Sequence, residues 1–171
     1  MKGLWFESED HVSCAQSELR RQLIHGYEAH DAVAMAQTMM LQGPPIFKMA
    51  HRQTIDAEES LDVLRLCRTA EFSAHMMLPL DPSTILQAQR IGCLSIGIQV
   101  SIPTIEVGIQ RQALLNNILS QLDIDAWAFG GIQPSDITRL AALGFKGALL
   151  SSEYSSEAPE RNAQLWPTSV V

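Results

Sequence analysis

The sequence predicts an α/β fold built on a parallel sheet of repeated βα units. Short apolar runs alternate along the chain with longer stretches of helical spacing, which is typical of parallel strands covered by helices. The chain has 171 residues, whereas eight complete βα units usually take roughly 200 residues or more. About six strands are predicted, so we expect a reduced or incomplete TIM-type (β/α) barrel, with an open doubly wound sheet as the alternative.

Strands are predicted where short runs of apolar and β-branched residues end at Gly, Pro or polar clusters. In chain order they are Gly3–Glu7, Ile46–Ala50, Phe72–Leu78, Cys93–Val100, Ala126–Phe129 and Gly147–Leu150.

Helices are predicted where apolar residues recur at helical spacing behind a Ser, Thr or Asp that can cap the first turn. They run from Asp10 or Ser13 to about residue 25, over Glu28–Leu41, from Thr54 or Asp56 to Arg68, from Asp81 to about Gly92, over Val107–Leu122, and from Ser135 or Asp136 to Gly144.

Composition indicates one globular α/β domain over residues 1–171, because 46% of the residues are hydrophobic and no flexible linker interrupts the chain. The net charge of −7 is not offset by a Lys/Arg cluster, which argues against a nucleic-acid or membrane partner. No run approaches the roughly twenty apolar residues of a membrane span. The start of the chain resembles no signal peptide, since Met1–Phe6 is followed by Glu7, Glu9 and Asp10 and has neither a basic start nor a long apolar run. We therefore expect a cytoplasmic protein.

Metal and disulfide chemistry is not predicted. The three cysteines and five histidines are scattered, with no CxxC pair and no HExxH segment. We expect no metal site, and no cofactor is evident from the sequence.

The most informative stretch is the βαβ unit over residues 126–152. Gly130 and Gly131 follow one predicted strand, and Ser151 and Ser152 follow the next. Because the carboxyl ends of parallel strands meet at one edge of a sheet, we expect both pairs to face one crevice. Backbone N–H groups, hydroxyls and a nearby helix start suit a phosphate dianion.

Two histidines are candidates for proton transfer, since imidazole titrates near neutral pH. His51 follows a predicted strand and is the candidate catalytic residue, whereas His75 lies within a strand, where packing is the commoner role. Lys48, Arg52 and His75 are possible substrate contacts.

The segment GGIQPSDITRLAALGFKGALLSSEYSSEAPERNA resembles the end of thiamine-phosphate synthases and of their relatives the thiazole tautomerases, which are phosphate-binding (β/α)₈ barrels. Fainter similarity to this family is found in two earlier segments. PIFKMAHRQT resembles the family's second strand, and LDPSTILQAQRIGCLSIGIQVS resembles its third helix and fourth strand. The resemblance implies that Gly130, Gly131, Ser151 and Ser152 hold the phosphate of a small ligand.

Departures from this family predict that synthase chemistry is lost or altered. Lys48 and Arg52 lack the spacing of the family's basic pair, Met76-Met77 replaces its Asn-Asp, and Ile102 replaces its acidic metal ligand. The family's fifth and sixth strands have no counterpart before Asp125. Pyrophosphate displacement with magnesium needs charges that these substitutions remove, so magnesium is doubtful.

Other function classes stay open. The segment AHMMLPLDP also resembles ribulose-phosphate epimerases, with His75 aligned to a metal ligand. An enzyme similar to the ribulose-phosphate epimerases would be an isomerase, whereas one similar to the thiamine-phosphate synthases would be a transferase. The third possibility is a non-catalytic interaction or regulatory protein with the same fold. A barrel that cannot close leaves an open edge, which predicts a homo-oligomer.

Overall fold

The structure is a computed structural model that describes residues 1–9, 11–15, 19–25, 37, 40–48, 57–100, 109–154 and 166. Its strands are β1 (Gly3–Glu7), β2 (His11–Cys14), β3 (Arg20–His25), β4 (Ile46–Lys48), β5 (His75–Leu78), β6 (Ser95–Gln99), β7 (Asp125–Ile132) and β8 (Gly147–Leu150). Its helices are α1 (Ala57–Thr69), α2 (Pro82–Ile91), α3 (Ile109–Ser120) and α4 (Ile137–Ala142). Short 3₁₀ turns span Pro134–Asp136 and Ser152–Tyr154.

The eight strands close into a barrel in sequence order. β8 pairs with β1 in parallel, with Gly3 opposite Gly147 and Phe6 opposite Leu150. The α/β fold with repeated βα units is therefore confirmed. The barrel is closed, so the expectation of an incomplete barrel and the alternative of an open doubly wound sheet are both wrong. The homo-oligomer was predicted from an open sheet edge, and the closed barrel has no such edge. The homo-oligomer therefore stays a prediction, but this argument no longer supports it.

The two strands that complete the barrel come from a segment for which a helix was predicted. From His11 to His25 the chain forms β2 and β3, and β2 pairs antiparallel with β1 on one side and with β3 on the other. The turn after β1 is held by Ser8, whose backbone N–H and Oγ–H both donate to the carbonyl of His11 at 2.9 Å. A parallel crossover needs a dozen or more residues, so links this short force β2 to run backwards.

The helical prediction for this segment was wrong because its apolar residues serve opposite faces of a sheet. Val12 and Leu23 pack inside the barrel, whereas Ile24 packs outside it with the residues of the helix layer. A short strand that is buried on both faces shows no clear alternation, and its spacing can imitate one helical turn.

The barrel interior is a packed core. It is filled by Met1, Trp5, Val12, Leu23, Ile46, Met77, Trp127, Phe129 and Leu149. Gly97 makes room for the largest of them, because a Cβ at this position would lie 2.5 Å from the ring of Trp127. The interior is therefore filled by side chains, as in other barrels of this size.

Local signals set the helix ends that position the barrel's loops. Asp81 caps α2, with its Oδ2 accepting from the backbone N–H of Thr84 at 2.8 Å, and Gly92 ends the helix with a φ of 101°. These hydrogen bonds, chiefly those from Thr84, lower the pKa of Asp81. The helix predicted from Asp81 to about Gly92 is confirmed.

β1 and β3–β8 all point the same way, and only β2 is reversed. We call the end at which these seven strands finish the mouth, and the opposite end the base. In barrels of this kind, ligands bind at the carboxyl ends of the strands.

Candidate functional site

The predicted Gly-Gly turn lies at the mouth, inside a longer strand than expected. β7 runs through Gly130 and Gly131 to Ile132, and its register with β8 shifts between Ala128 and Ile132. The chain bulges here because both glycines have positive φ, 105° and 78°, a conformation that residues with a Cβ adopt rarely.

The two glycines differ in what surrounds them, although both are exposed. A Cβ on Gly130 would lie 3.1 Å from the carbonyl oxygen of Val100, so this glycine allows β7 to pack closely on the end of β6. A Cβ on Gly131 would meet nothing within 4 Å. The Gly131 backbone therefore faces open space at the mouth, where a ligand can approach it.

Ser151 and Ser152 lie beside this bulge. Ile132 pairs with Leu150, so Ser151 follows directly on the neighbouring strand. The structure thus brings together the four residues predicted to bind phosphate. It also adds a carboxylate, since Ser151 Oγ–H donates to Glu153 Oε1 at 2.8 Å.

The predicted helix start contributes less than expected. The backbone N–H of Gln133 donates to Asp136 Oδ2 at 2.9 Å, so this donor is already used by a carboxylate. α4 begins only after the 3₁₀ turn and has six residues. The helix start therefore offers fewer free N–H donors than the sequence predicted.

An ion pair crosses the mouth. Lys48, at the end of β4, contacts Glu7, at the end of β1, and the two strands are separated around the barrel by β2 and β3. The side chains are 11% and 26% exposed, so the pair is largely removed from water. Lys48 was predicted as a substrate contact, whereas Glu7 was not. Glu7 points into the barrel because side chains two residues apart on a strand share a face, and Trp5 packs inside the barrel.

His75 lies at the base, at the opposite end of the barrel from Lys48, Gly130, Gly131, Ser151 and Ser152. It begins β5, and its ring is held by neighbours on β3 and β6. Arg21 Nη1 donates to His75 Nε2 at 3.3 Å. Because arginine cannot accept, Nδ1 carries the proton and donates to Ser95 Oγ at 2.7 Å.

This network excludes His75 as a base for Ser95. Burial, with the charges of the N-terminal ammonium and Arg21, lowers the pKa of His75 to about 3. Ser95 is completely buried and also accepts from Trp127 Nε1 at 3.0 Å. A protonated Nδ1 cannot take the serine proton, so the arrangement is structural.

Arg21 lies at the base of the barrel, next to the His75–Ser95 network. Its Nη1 donates to the carbonyl of Pro44 at 3.3 Å, and its guanidinium lies 5.8 Å from the centre of the Trp5 ring. Burial lowers the pKa of Arg21. The stacked and hydrogen-bonded cation fits a structural role in holding β3 against β4.

Other reactive groups fall outside the mouth or outside the described residues. His51, Arg52 and Ile102 lie outside the described residues. Burial raises the pKa of Cys67 to about 11 and that of Cys93 to about 12, so neither thiol is an activated nucleophile. Among the residues that the structure describes, no group of three or more His, Cys, Asp or Glu side chains is arranged to hold a metal ion.

Within the same ranges, no helix has the length and apolar character needed to cross a membrane.

Comparison with solved structures supports the fold. A tryptophan synthase α subunit from Campylobacter jejuni has a TM-score of 0.60 at 11% identity over 86% of this chain and 65% of its own. The Amycolatopsis orientalis BexX/CysO complex gives 0.59 at 18% identity over 84% of this chain and 62% of the other. The Pyrococcus furiosus tryptophan synthase α2β2 complex gives 0.56 at 10% identity over 83% and 61%.

The chain has a TIM-type barrel fold. It spans less than two thirds of the length of each of these structures, and identities this low carry the fold alone. No protein-family profile matches the sequence, and no curated protein is significantly similar to it.

Proposed function

We propose that this protein binds a small phosphorylated metabolite at the mouth of the barrel. The observation that carries the proposal is the bulge at Gly130-Gly131, where two exposed positive-φ glycines lie next to Ser151 and Ser152. Consecutive backbone turns of this kind present N–H groups to anions at no cost in charged side chains. Lys48 supplies a cation in the same opening.

The proposed ligand is small because the barrel interior is already filled by Trp5, Trp127 and Phe129. The phosphate lies against the ends of β7 and β8, and the rest of the ligand extends over the mouth toward Lys48. If the protein is an enzyme, transferase or isomerase chemistry on such a ligand is consistent with this placement. The thiamine-phosphate synthase resemblance makes the thiazole and pyrimidine phosphates the first ligands to test.

Thermal shifts with phosphate, pyrophosphate, thiamine phosphate and pentose phosphates test the proposal. A ligand at a hundred times its dissociation constant adds about 2.7 kcal/mol of stability. For a chain of this length that corresponds to a rise in Tm of about 5–10 °C. No shift with any of these compounds would contradict the proposal.

A pair of glycine variants tests the location. Gly131→Val puts a branched side chain into the proposed phosphate position, and we expect it to abolish the shift. Gly144→Val is the matched control: Gly144 also has positive φ, 102°, and open space around its Cβ, but it lies at the base before β8. Both variants strain the backbone, so the control shows what strain alone does to binding. Binding that survives Gly131→Val would place the cradle elsewhere.

A non-catalytic interaction or regulatory role is the second candidate. It is favoured by two contacts at the mouth that form without a ligand, the Lys48–Glu7 ion pair and the hydrogen bond from Ser151 to Glu153. A Lys48–Glu7 pair that is complete without a ligand suits a protein whose chemistry has been lost. Absence of any phosphate shift, together with a stable Lys48→Met, Glu7→Gln double variant, would favour this role.

A further inference from the structure

Glu7 stands between the cation of the mouth and the proposed phosphate position. Phe6 pairs with Leu150 across the β1–β8 ladder, so Glu7 and Ser151 occupy the next position on neighbouring strands. The turn Ser152–Tyr154, which carries Glu153, contacts β1. Two carboxylates, those of Glu7 and Glu153, therefore lie on the β1 side of the barrel close to Ser151.

This arrangement creates a charge conflict for a simple phosphate. A dianion beside Ser151 is close to the carboxylate of Glu7 and needs a cation to offset this repulsion. Lys48 can turn toward the phosphate, but Glu7 then loses its counter-charge while only 26% exposed. Removing one partner of a largely buried pair is strongly destabilising, because it leaves an uncompensated charge.

We propose that the ligand resolves this conflict by carrying its own cation, so that the mouth takes a phosphate monoester with a protonated amine. Lys48 exchanges Glu7 for the ligand phosphate, and Glu7 accepts a hydrogen bond from the ligand ammonium. One ion pair is replaced by two, and Lys48 and Glu7 each keep a partner of opposite charge. This inference rests on the proposed phosphate site and adds the substrate class.

The probes are O-phosphoethanolamine and ethyl phosphate, which share the phosphate ester and the two-carbon chain and differ in the amine. Their dissociation constants are measured by calorimetry near neutral pH, with ethanolamine alone as a third probe. We expect O-phosphoethanolamine to bind at least about tenfold more tightly than ethyl phosphate, since a hydrogen bond to a charged group is typically worth about a factor of ten or more in affinity.

Glu7→Gln should reduce this preference to less than about twofold, because the amide has no charge to attract the ammonium. Glu71→Gln is the matched control: it removes an exposed carboxylate at the base, before β5, and should keep the full preference. The double variant Glu7→Gln, Lys48→Met removes both charges of this ion pair, so neither is left without its partner. It guards against misfolding of the single variant and should also show no preference.

Equal affinities of the two phosphates for the native protein would overturn the inference while leaving the phosphate site in place. A preference that survives Glu7→Gln and the double variant would overturn it as well, because another group would then bind the amine. Binding of ethanolamine as tight as that of its phosphate would show an amine site without a phosphate site. Failure of both phosphates to bind would overturn the inference, and the thermal shifts with the other phosphates then decide separately whether the phosphate site exists.

Discussion

His75 should make the protein less stable as the solution is acidified, and the effect is large enough to isolate. The folded protein holds this ring neutral between Arg21 and Ser95, and its pKa is lowered to about 3. In the unfolded chain the ring takes up a proton with a pKa of about 6.5. Between these two values the unfolded state binds one proton more than the folded state.

The sign and size follow from this difference. Stability falls as pH drops below about 6.5, with a limiting slope of about 1.4 kcal/mol per pH unit, and the loss ends near the folded pKa. Between pH 7 and pH 5 the contribution is about 2 kcal/mol, because the unfolded ring is only partly protonated at the upper end. For a chain of this length, that corresponds to about 4–8 °C in Tm.

The assay is urea unfolding at a series of pH values for the native protein and for His75→Gln. Glutamine does not titrate, and its amide can still accept from Arg21 and donate to Ser95. Carboxylates and the other histidines titrate in both proteins, so the difference between the two curves isolates His75. The stability of the native protein relative to the variant should fall by about 2 kcal/mol from pH 7 to pH 5.

Two results would refute this reasoning. One is a stability difference between the two proteins that is the same at pH 7 and pH 5. The other is an NMR titration in which the His75 ring protonates near its ordinary pKa in the folded protein, which would mean that the network does not exclude the proton.

Three further predictions address packing, capping and activity. Gly97→Ala should destabilise the barrel by about 1–3 kcal/mol in urea unfolding, because the new methyl overlaps the Trp127 ring, and Trp127→Phe in the same chain should recover part of the loss. Asp81→Ala should cost about 1 kcal/mol through loss of the α2 cap, whereas Asp81→Asn should cost less, and equal costs would show that the cap hydrogen bond is unimportant. Thiamine-phosphate synthase activity, assayed with the thiazole phosphate, the pyrimidine pyrophosphate and magnesium, should be at least about 10⁴-fold below a typical turnover. Turnover near one per second would show that other side chains supply the missing charges.

The synthase prediction follows from where the structure places the substituted residues. Met76 packs against the helix layer and Met77 fills the barrel interior, and both are fully buried. Neither side chain can hydrogen-bond a substrate. Of the basic residues considered, Lys48 is at the mouth but is paired with Glu7.

Local signals in the sequence were sufficient for the second half of the barrel. The unit from β7 to β8 was predicted because a Gly-Gly turn, a capping residue and a closing glycine each act within a few residues of one another. The same holds for α2, whose ends depend on Asp81 and Gly92. Interactions between residues a few positions apart form whatever the tertiary structure of the rest of the chain.

Tertiary structure decided the closure of the barrel and the composition of the mouth. β2 and β3 are strands because β1 and β4 need partners, and the weak helical spacing of that segment cannot compete with the ladder hydrogen bonds. Glu7 meets Lys48 across 41 positions of sequence, and His75 meets Arg21 across 54. Which polar residues face each other inside a barrel depends on strand register and stagger, and these are set only when all eight strands have paired.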